Sequence, residues 1–346
     1  MSTVLDHTHG AGGEGHDSAG PNTTGHPIED PSDRDDTQGD GPAGPITLDP
    51  FTREDAIAAG YTDRDLRDWG NAGNVRRLSR GVFAKGGGPA TREEQLIERG
   101  RALARKHGGR VAVSHHAALA MHGIALHAVP FHRLYAVRLR GGVHSKPGLV
   151  VCRPKSRPPT VDLDGVRVVQ PAVAVAQVAA AFGLRAGVVA ADSARNLGLV
   201  GLSEMTAEIE RVGQIPGINA LRRAVSRSRD GAQSPGESLL RLIVEDLGFE
   251  ASTQFPVTEG AARPFAYADL RLVDTNCLLE FDGAVKYAGV DGRDALMAEK
   301  TREDRIRRLG WQLDRVIWRD FNDTAALGRR IRALAGHAGS GEGRAI

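Results

Sequence analysis

Asp269 and Glu280 stand in the stretch YADLRLVDTNCLLEFDG, residues 267–283, inside two otherwise apolar runs joined by what reads as a tight turn. With the turn centred on Asp274 and Thr275, register pairs Val273 with Asn276, Arg271 with Leu278 and Asp269 with Glu280. The two carboxylates then face each other. Like charges opposed on neighbouring strands, about 5 Å apart at Cβ, destabilise a sheet, so folding alone does not account for the pair. A hard divalent cation, Mg²⁺ or Mn²⁺, does account for it, because such an ion is held by one or two carboxylates together with water and substrate phosphate. It would polarise a scissile phosphodiester and lower the pKa of the attacking water. On this reading Asp269 and Glu280 are metal ligands and catalytic residues, with Glu237 as a third acid. Lys286 and Lys300 are candidates to stabilise developing negative charge. The competing reading makes the two acids partners of Arg271 and the downstream arginines on a solvated sheet face.

The elements around the pair follow from periodicity. Ala268, Leu270 and Leu272 alternate with the polar positions, as do Phe281, Leu279 and Cys277, which predicts one apolar face packed on a helix. Residues 231–335 read as helix, three strands, long basic helix, strand, helix, preceded by the polar boundary RSRDGAQSPG. Glu237 falls at the start of the first helix and Lys300 on the basic one.

The combination of ESLLRLIVEDLGF, YADLRL, LLEFDGAVKY and EKTREDRIRRLGWQLDRVIW, in this order, resembles the PD-(D/E)XK nuclease superfamily, specifically the branch related to very-short-patch-repair endonucleases. The resemblance implies a restriction-endonuclease-like α/β/α domain that hydrolyses DNA with Mg²⁺. It matches Glu237 to the first-helix acid, Asp269 to the strand aspartate and Glu280 to the second strand acid. The pattern departs at Asp282, which stands where the superfamily has lysine, so that role passes to Lys286 or Lys300 or is lost.

Nearer the start, Thr52 with Asp55 and Thr62 with Asp65 have capping-box spacing and predict two short helices separated by Gly60. NVRRLSRGVFA predicts a hairpin around a Ser-Arg-Gly turn, so residues 47–88 read as a small winged helix-turn-helix. Residues 89–230 mix helix and strand and form an α+β middle domain. The front segment, and more loosely VSHHAALAMHGI and ADSARNLGLV in the middle, resemble the AbiEi family of type IV antitoxins. That resemblance implies DNA binding by the second helix, with Arg64 and Arg67 toward the groove and Arg76, Arg77 and Arg80 toward phosphates. It also implies a toxin partner encoded nearby.

The whole is expected to be a multidomain α+β protein. Residues 1–46 are acidic and almost free of apolar side chains, which predicts a disordered tail, and 336–346 a second, flexible one. The net charge of +2 hides a basic remainder past residue 50, compatible with a nucleic-acid partner. No apolar run is long enough for a membrane span and no secretion signal is read, so a cytoplasmic protein is expected. Two distant cysteines, Cys152 and Cys277, make neither a disulfide framework nor a zinc site. His115, His116, His122, His127 and His132 lack zinc-hydrolase spacing and read as core or surface residues, and Ser114 lacks the glycines of a nucleophile elbow. Two functions remain: a Mg²⁺-dependent DNA endonuclease, or an AbiEi-like regulator whose nuclease fold is degenerate.

Overall fold

The computed structural model describes residues 46–260, 263–283 and 292–338. The chain is a mixed α+β protein with three separate sheets among the described residues.

The front unit comprises β1 (Phe51–Thr52), α1 (Arg53–Ala58), α2 (Asp63–Asn71), β2 (Val75–Ser79) and β3 (Val82–Lys85), with strand order β1-β3-β2. Both capping boxes form, Thr52 with Asp55 on α1 and Thr62 with Asp65 on α2. They satisfy amide groups that a short helix would otherwise leave open. Phe51, Ala56, Leu66, Trp69 and Val75 make the core. Ile46, assigned from sequence to the acidic tail, is also buried there, so this unit begins one residue earlier than its charge pattern suggested.

The middle unit holds α3 (Arg92–His107), β4 (Val111–Val113), α4 (His115–Met121), β5 (Leu134–Arg138), β6 (Leu149–Cys152), β7 (Thr160–Leu163), β8 (Val166–Val169), α5 (Pro171–Phe182), α6 (Leu184–Asn196), α7 (Leu202–Val212) and α8 (Ile218–Ser226). Its sheet runs β6-β5-β4-β8-β7. Alanine-rich α5 and α6 approach closely at Gly187, where an added Cβ would lie 2.5 Å from the Ala179 Cβ. His115 and His116 are buried among Tyr135 and Phe182. Burial pushes their pKa values down to about 3 and about 4.

The last unit contains α9 (Pro235–Asp246), β9 (Ala251–Val257), β10 (Ala266–Leu272), β11 (Cys277–Asp282), α10 (Gly292–Arg308), β12 (Gln312–Ile317), a 3₁₀ turn (Trp318–Asn322) and α11 (Thr324–Ala338). The order is β12-β11-β10-β9, with β11 and β12 parallel. One face packs on α9 and α11 through Leu240, Val244, Leu270, Leu279, Leu327 and Ile331, the other on α10 through Ile306. Because α11 continues to Ala338, residues 336–338 are helical rather than part of a tail. Between this unit and the middle one, Arg241 of α9 meets Asp192 of α6 at 2.8 Å, both side chains fully buried.

Candidate functional site

The β10–β11 hairpin pairs Leu270 with Leu279, Arg271 with Leu278 and Leu272 with Cys277, the register its turn implied. The next pair outward would be Asp269 with Glu280, and there the ladder changes. Asp269 Oδ2 accepts the Phe281 amide at 2.7 Å, so a side chain stands in for the backbone partner. On the other side of β10, the ladder to β9 includes Ala268 with Phe255 and Leu270 with Thr253 but omits the position between them. That position belongs to Gln254, whose φ of 48° lies in the left-handed region. Such a conformation is uncommon for a residue with a Cβ and marks a local irregularity in the strand.

The irregularity overturns one expectation. Ala266 and Ala268 pack with Ile306 on the α10 side, whereas Leu270 and Leu272, of the same parity, pack with α9 and α11. The apolar face of β10 therefore crosses the sheet at Asp269, and Ala268 does not share a face with Leu270 as strict alternation predicts. Asp269 sits at the crossing.

Glu237 is buried in the first turn of α9. Its Oε2 accepts the Gln233 amide at 2.8 Å and Gln254 Nε2 at 3.2 Å, while its own amide donates to the Ser234 Oγ at 3.2 Å. Gln254 also hydrogen-bonds Asp269, so it links the two acids. Burial, reinforced by the nearby Glu237 and Glu280 carboxylates, pushes the Asp269 pKa up to about 6 against the opposing pull of the Phe281 amide.

Glu280 is engaged differently. Arg302 of α10 donates to both its oxygens at 2.8 Å, and Arg315 Nε of β12 lies 3.7 Å from Oε2. Arg302 and Arg315 also share Glu299, and Arg315 reaches Glu303 at 3.5 Å. Glu280 thus belongs to an ion-pair network with downstream arginines, one part of the competing reading; Arg271, which that reading also named, lies instead over the Phe255 and Trp311 rings at 4.8 and 5.3 Å. Bidentate guanidinium–carboxylate pairing of this kind is among the stronger side-chain interactions.

In this arrangement a divalent cation on Glu280 would have to displace Arg302. Both Glu280 oxygens are occupied by Arg302, Asp269 Oδ2 holds a backbone amide, and Glu237 Oε2 takes two donors. Among the described residues no group of three His, Cys, Asp or Glu side chains could hold a metal ion. Lys300 is exposed on α10 and makes no ion pair with the acids among the described residues, and Lys286 lies outside those residues. The sequence reading missed Gln254, Arg302 and Arg315. For Arg302 a signal existed: Glu299, Arg302, Glu303 and Ile306 share helical spacing, and Ile306 is fully buried. For Gln254 there was none.

In the front unit Arg64 and Arg67 are exposed on α2, Arg64 beside Asp68 at 3.8 Å and Arg67 donating to the Asp63 carbonyl at 3.2 Å. Arg76 is half-buried, ion-paired to Glu98 of α3 and donating to the Gly86 carbonyl at 3.1 Å. It ties the hairpin to the middle unit rather than facing outward to phosphates. Arg77 and Arg80 are exposed and make no ion pair among the described residues. With Arg67 they line a cleft of about 1350 Å³ that extends to the C-terminal end of α3.

No protein-family model matches the chain, and no curated protein matches it. The crystal structure of the RV2827C protein from Mycobacterium tuberculosis is similar to 56% of this chain and 76% of that one, at 17% identity and a TM-score of 0.35. No helix among the described residues is long and apolar enough to cross a membrane.

Proposed function

We propose that the protein binds duplex DNA through its front unit, acting as an AbiEi-like regulator whose C-terminal unit keeps a nuclease-like plan without an assembled metal site. The observation that carries this reading is that Arg67, Arg77 and Arg80, from a capped helix and the hairpin after it, line one cleft, with the two hairpin arginines unpaired among the described residues. Helix, turn, helix and basic hairpin are the elements that a winged helix-turn-helix would use, with a helix entering the major groove and the hairpin meeting the backbone, and this supports the reading. Arg64 and Arg67 are the groove-side groups, while Arg77 and Arg80 meet the phosphates. A toxin encoded nearby is the protein partner this family would bring.

Fluorescence anisotropy with duplex DNA across a salt series tests the reading. Removing one phosphate-neutralising cation lowers the slope of log affinity against log salt by about 0.9. Arg77→Ala with Arg80→Ala should weaken binding and reduce that slope by about two. Wild-type protein with no affinity for any duplex would overturn the assignment.

A Mg²⁺- or Mn²⁺-dependent endonuclease is the second reading, favoured by the clustering of Asp269, Glu237 and Glu280 that raises the Asp269 pKa. It requires Arg302 to release Glu280. Chelator-sensitive nicking of plasmid DNA by the wild-type protein would promote this reading over the first.

A further inference from the structure

The cleft beside the hairpin carries more charge than a groove-reading helix requires. Eight of its lining side chains are arginine or lysine against two carboxylates, Glu54 and Asp63. Asp63 is already taken by Arg53, which grips it at 2.7 and 2.6 Å. One wall is the front unit's Arg77 and Arg80; the other is the middle unit's Arg105, Lys106, Arg110 and Arg140. Arg77, Arg80, Arg110 and Arg140 are all exposed and have no acidic partner among the described residues. His107 reports the same crowding, its pKa lowered by burial and by the cations Arg110, Lys106 and Lys146.

The floor is chemically different. Leu66, Val75, Val82 and Phe83 line it, and Phe83 is only half-buried. A concave space of about 1350 Å³ is ample for a small ligand, since such sites commonly measure about 300–1,000 Å³. A ligand suited to both parts has several phosphate charges at one end and a flat, weakly polar ring at the other. A duplex backbone would use the rim and leave the floor empty.

We propose that this cleft seats a nucleoside polyphosphate, with its phosphates between Arg77 and Arg80 on one wall and Arg110 and Arg140 on the other, and its base against the Phe83 floor; Arg105, which also lines the cleft, already donates to the Asp164 carbonyl at 2.8 Å. The ligand is either a free nucleotide or the phosphorylated end of a strand. The seat shares Arg67, Arg77 and Arg80 with the proposed DNA surface, so its occupant competes with duplex; only this competition rests on the DNA-binding reading.

Isothermal titration of the full chain with a nucleoside triphosphate, inorganic tripolyphosphate, and 5′-phosphorylated and 5′-hydroxyl trinucleotides tests the seat. The nucleoside triphosphate should bind at least tenfold more tightly than tripolyphosphate, because the floor contributes. Arg110→Ala with Arg140→Ala should weaken it at least tenfold, whereas Arg222→Ala with Arg223→Ala, both exposed on α8, should not; melting curves confirm that both variants fold. If the 5′-phosphorylated trinucleotide binds best, the source is a strand end; if the free nucleotide does, it is a soluble ligand. No binding, equal binding of tripolyphosphate, or equal weakening in both double variants overturns the proposal. These titrations contain no duplex, so they fail or succeed independently of the DNA experiment. Displacement of bound duplex by the nucleotide then tests the competition.

Discussion

Arg302 of α10 holds both carboxylate oxygens of Glu280 at 2.8 Å, and Arg315 of β12 stands close behind. A metal ion would have to displace this pair. Arg302→Ala should therefore expose an acid that the wild type keeps neutralised, and Mg²⁺ or Mn²⁺ should raise the melting temperature of the variant while leaving the wild type unmoved. Without metal the variant should be less stable by about 1–3 kcal/mol, the cost of leaving a charged partner unsatisfied. Equal Mn²⁺ binding by both proteins would show that Arg302 does not guard the acid.

Asp269 offers a pH test. Its pKa is about 6 in the folded chain against 3.8 for the free side chain, so the unfolded chain loses its proton first as pH rises. Stability associated with this group is complete below pH 4 and is lost by the time pH passes 6, on the order of 2 kcal/mol once solvent screening is considered. Asp269→Asn keeps an acceptor for the Phe281 amide and removes the penalty. Denaturant unfolding should find the variant more stable than wild type at pH 7.5 and equal to it at pH 4; the same difference at both values would rule out ionisation as the cause.

His115 and His116 act in the opposite sense. Their folded pKa values, about 3 and about 4, lie below the usual 6.5. The unfolded chain takes up protons first as pH falls, so stability is complete above pH 6.5 and declines toward pH 4. His116→Phe should flatten this decline in a series of thermal melts, although it loses the bond between His116 Nε2 and the Arg133 carbonyl at 2.9 Å. An unchanged slope would place the acid sensitivity elsewhere.

Gly236 precedes Glu237 and lies against Phe281, where an added Cβ would come within 2.0 Å of the ring. Gly236→Ala should cost about 1–3 kcal/mol by overpacking. Phe281→Leu should recover part of that stability in the double variant, because it opens the space the methyl needs. Additive effects in a double-mutant cycle would mean that the two residues do not compete for room.

The hairpin register was legible because turn chemistry and a two-residue period determine it together, and the capping boxes were legible because they are local. The order of elements in the last unit also followed from periodicity. The crossing of the apolar face at Asp269 was not legible, since it depends on one left-handed backbone angle at Gln254, a residue type that gives no hint of it. In the middle unit the sequence showed only a mixture of helix and strand; β7, for instance, is a short strand with no buried residue. Arg76 misled because an arginine in a basic run looks solvated, and its partner Glu98 is 22 residues away.

The Asp192–Arg241 pair bears on how the molecule can be divided. A polar stretch near residue 230 invites a cut that would yield two expressible fragments. Each fragment would then carry one half of an ion pair whose members are both fully buried. Asp192 also accepts the Arg229 amide at 2.8 Å, and Arg241 donates to Glu245 at 2.5 Å, so the severed ends would keep some local bonds but lose the opposite charge. Inside the intact chain, losing one partner would leave a buried charge uncompensated at a cost of about 3–5 kcal/mol, whereas a cut exposes both charges and the apolar surface around them to water. The composition break is therefore a boundary of architecture and not of independence, and fragments meant to isolate either half should be cut so that both helices stay together.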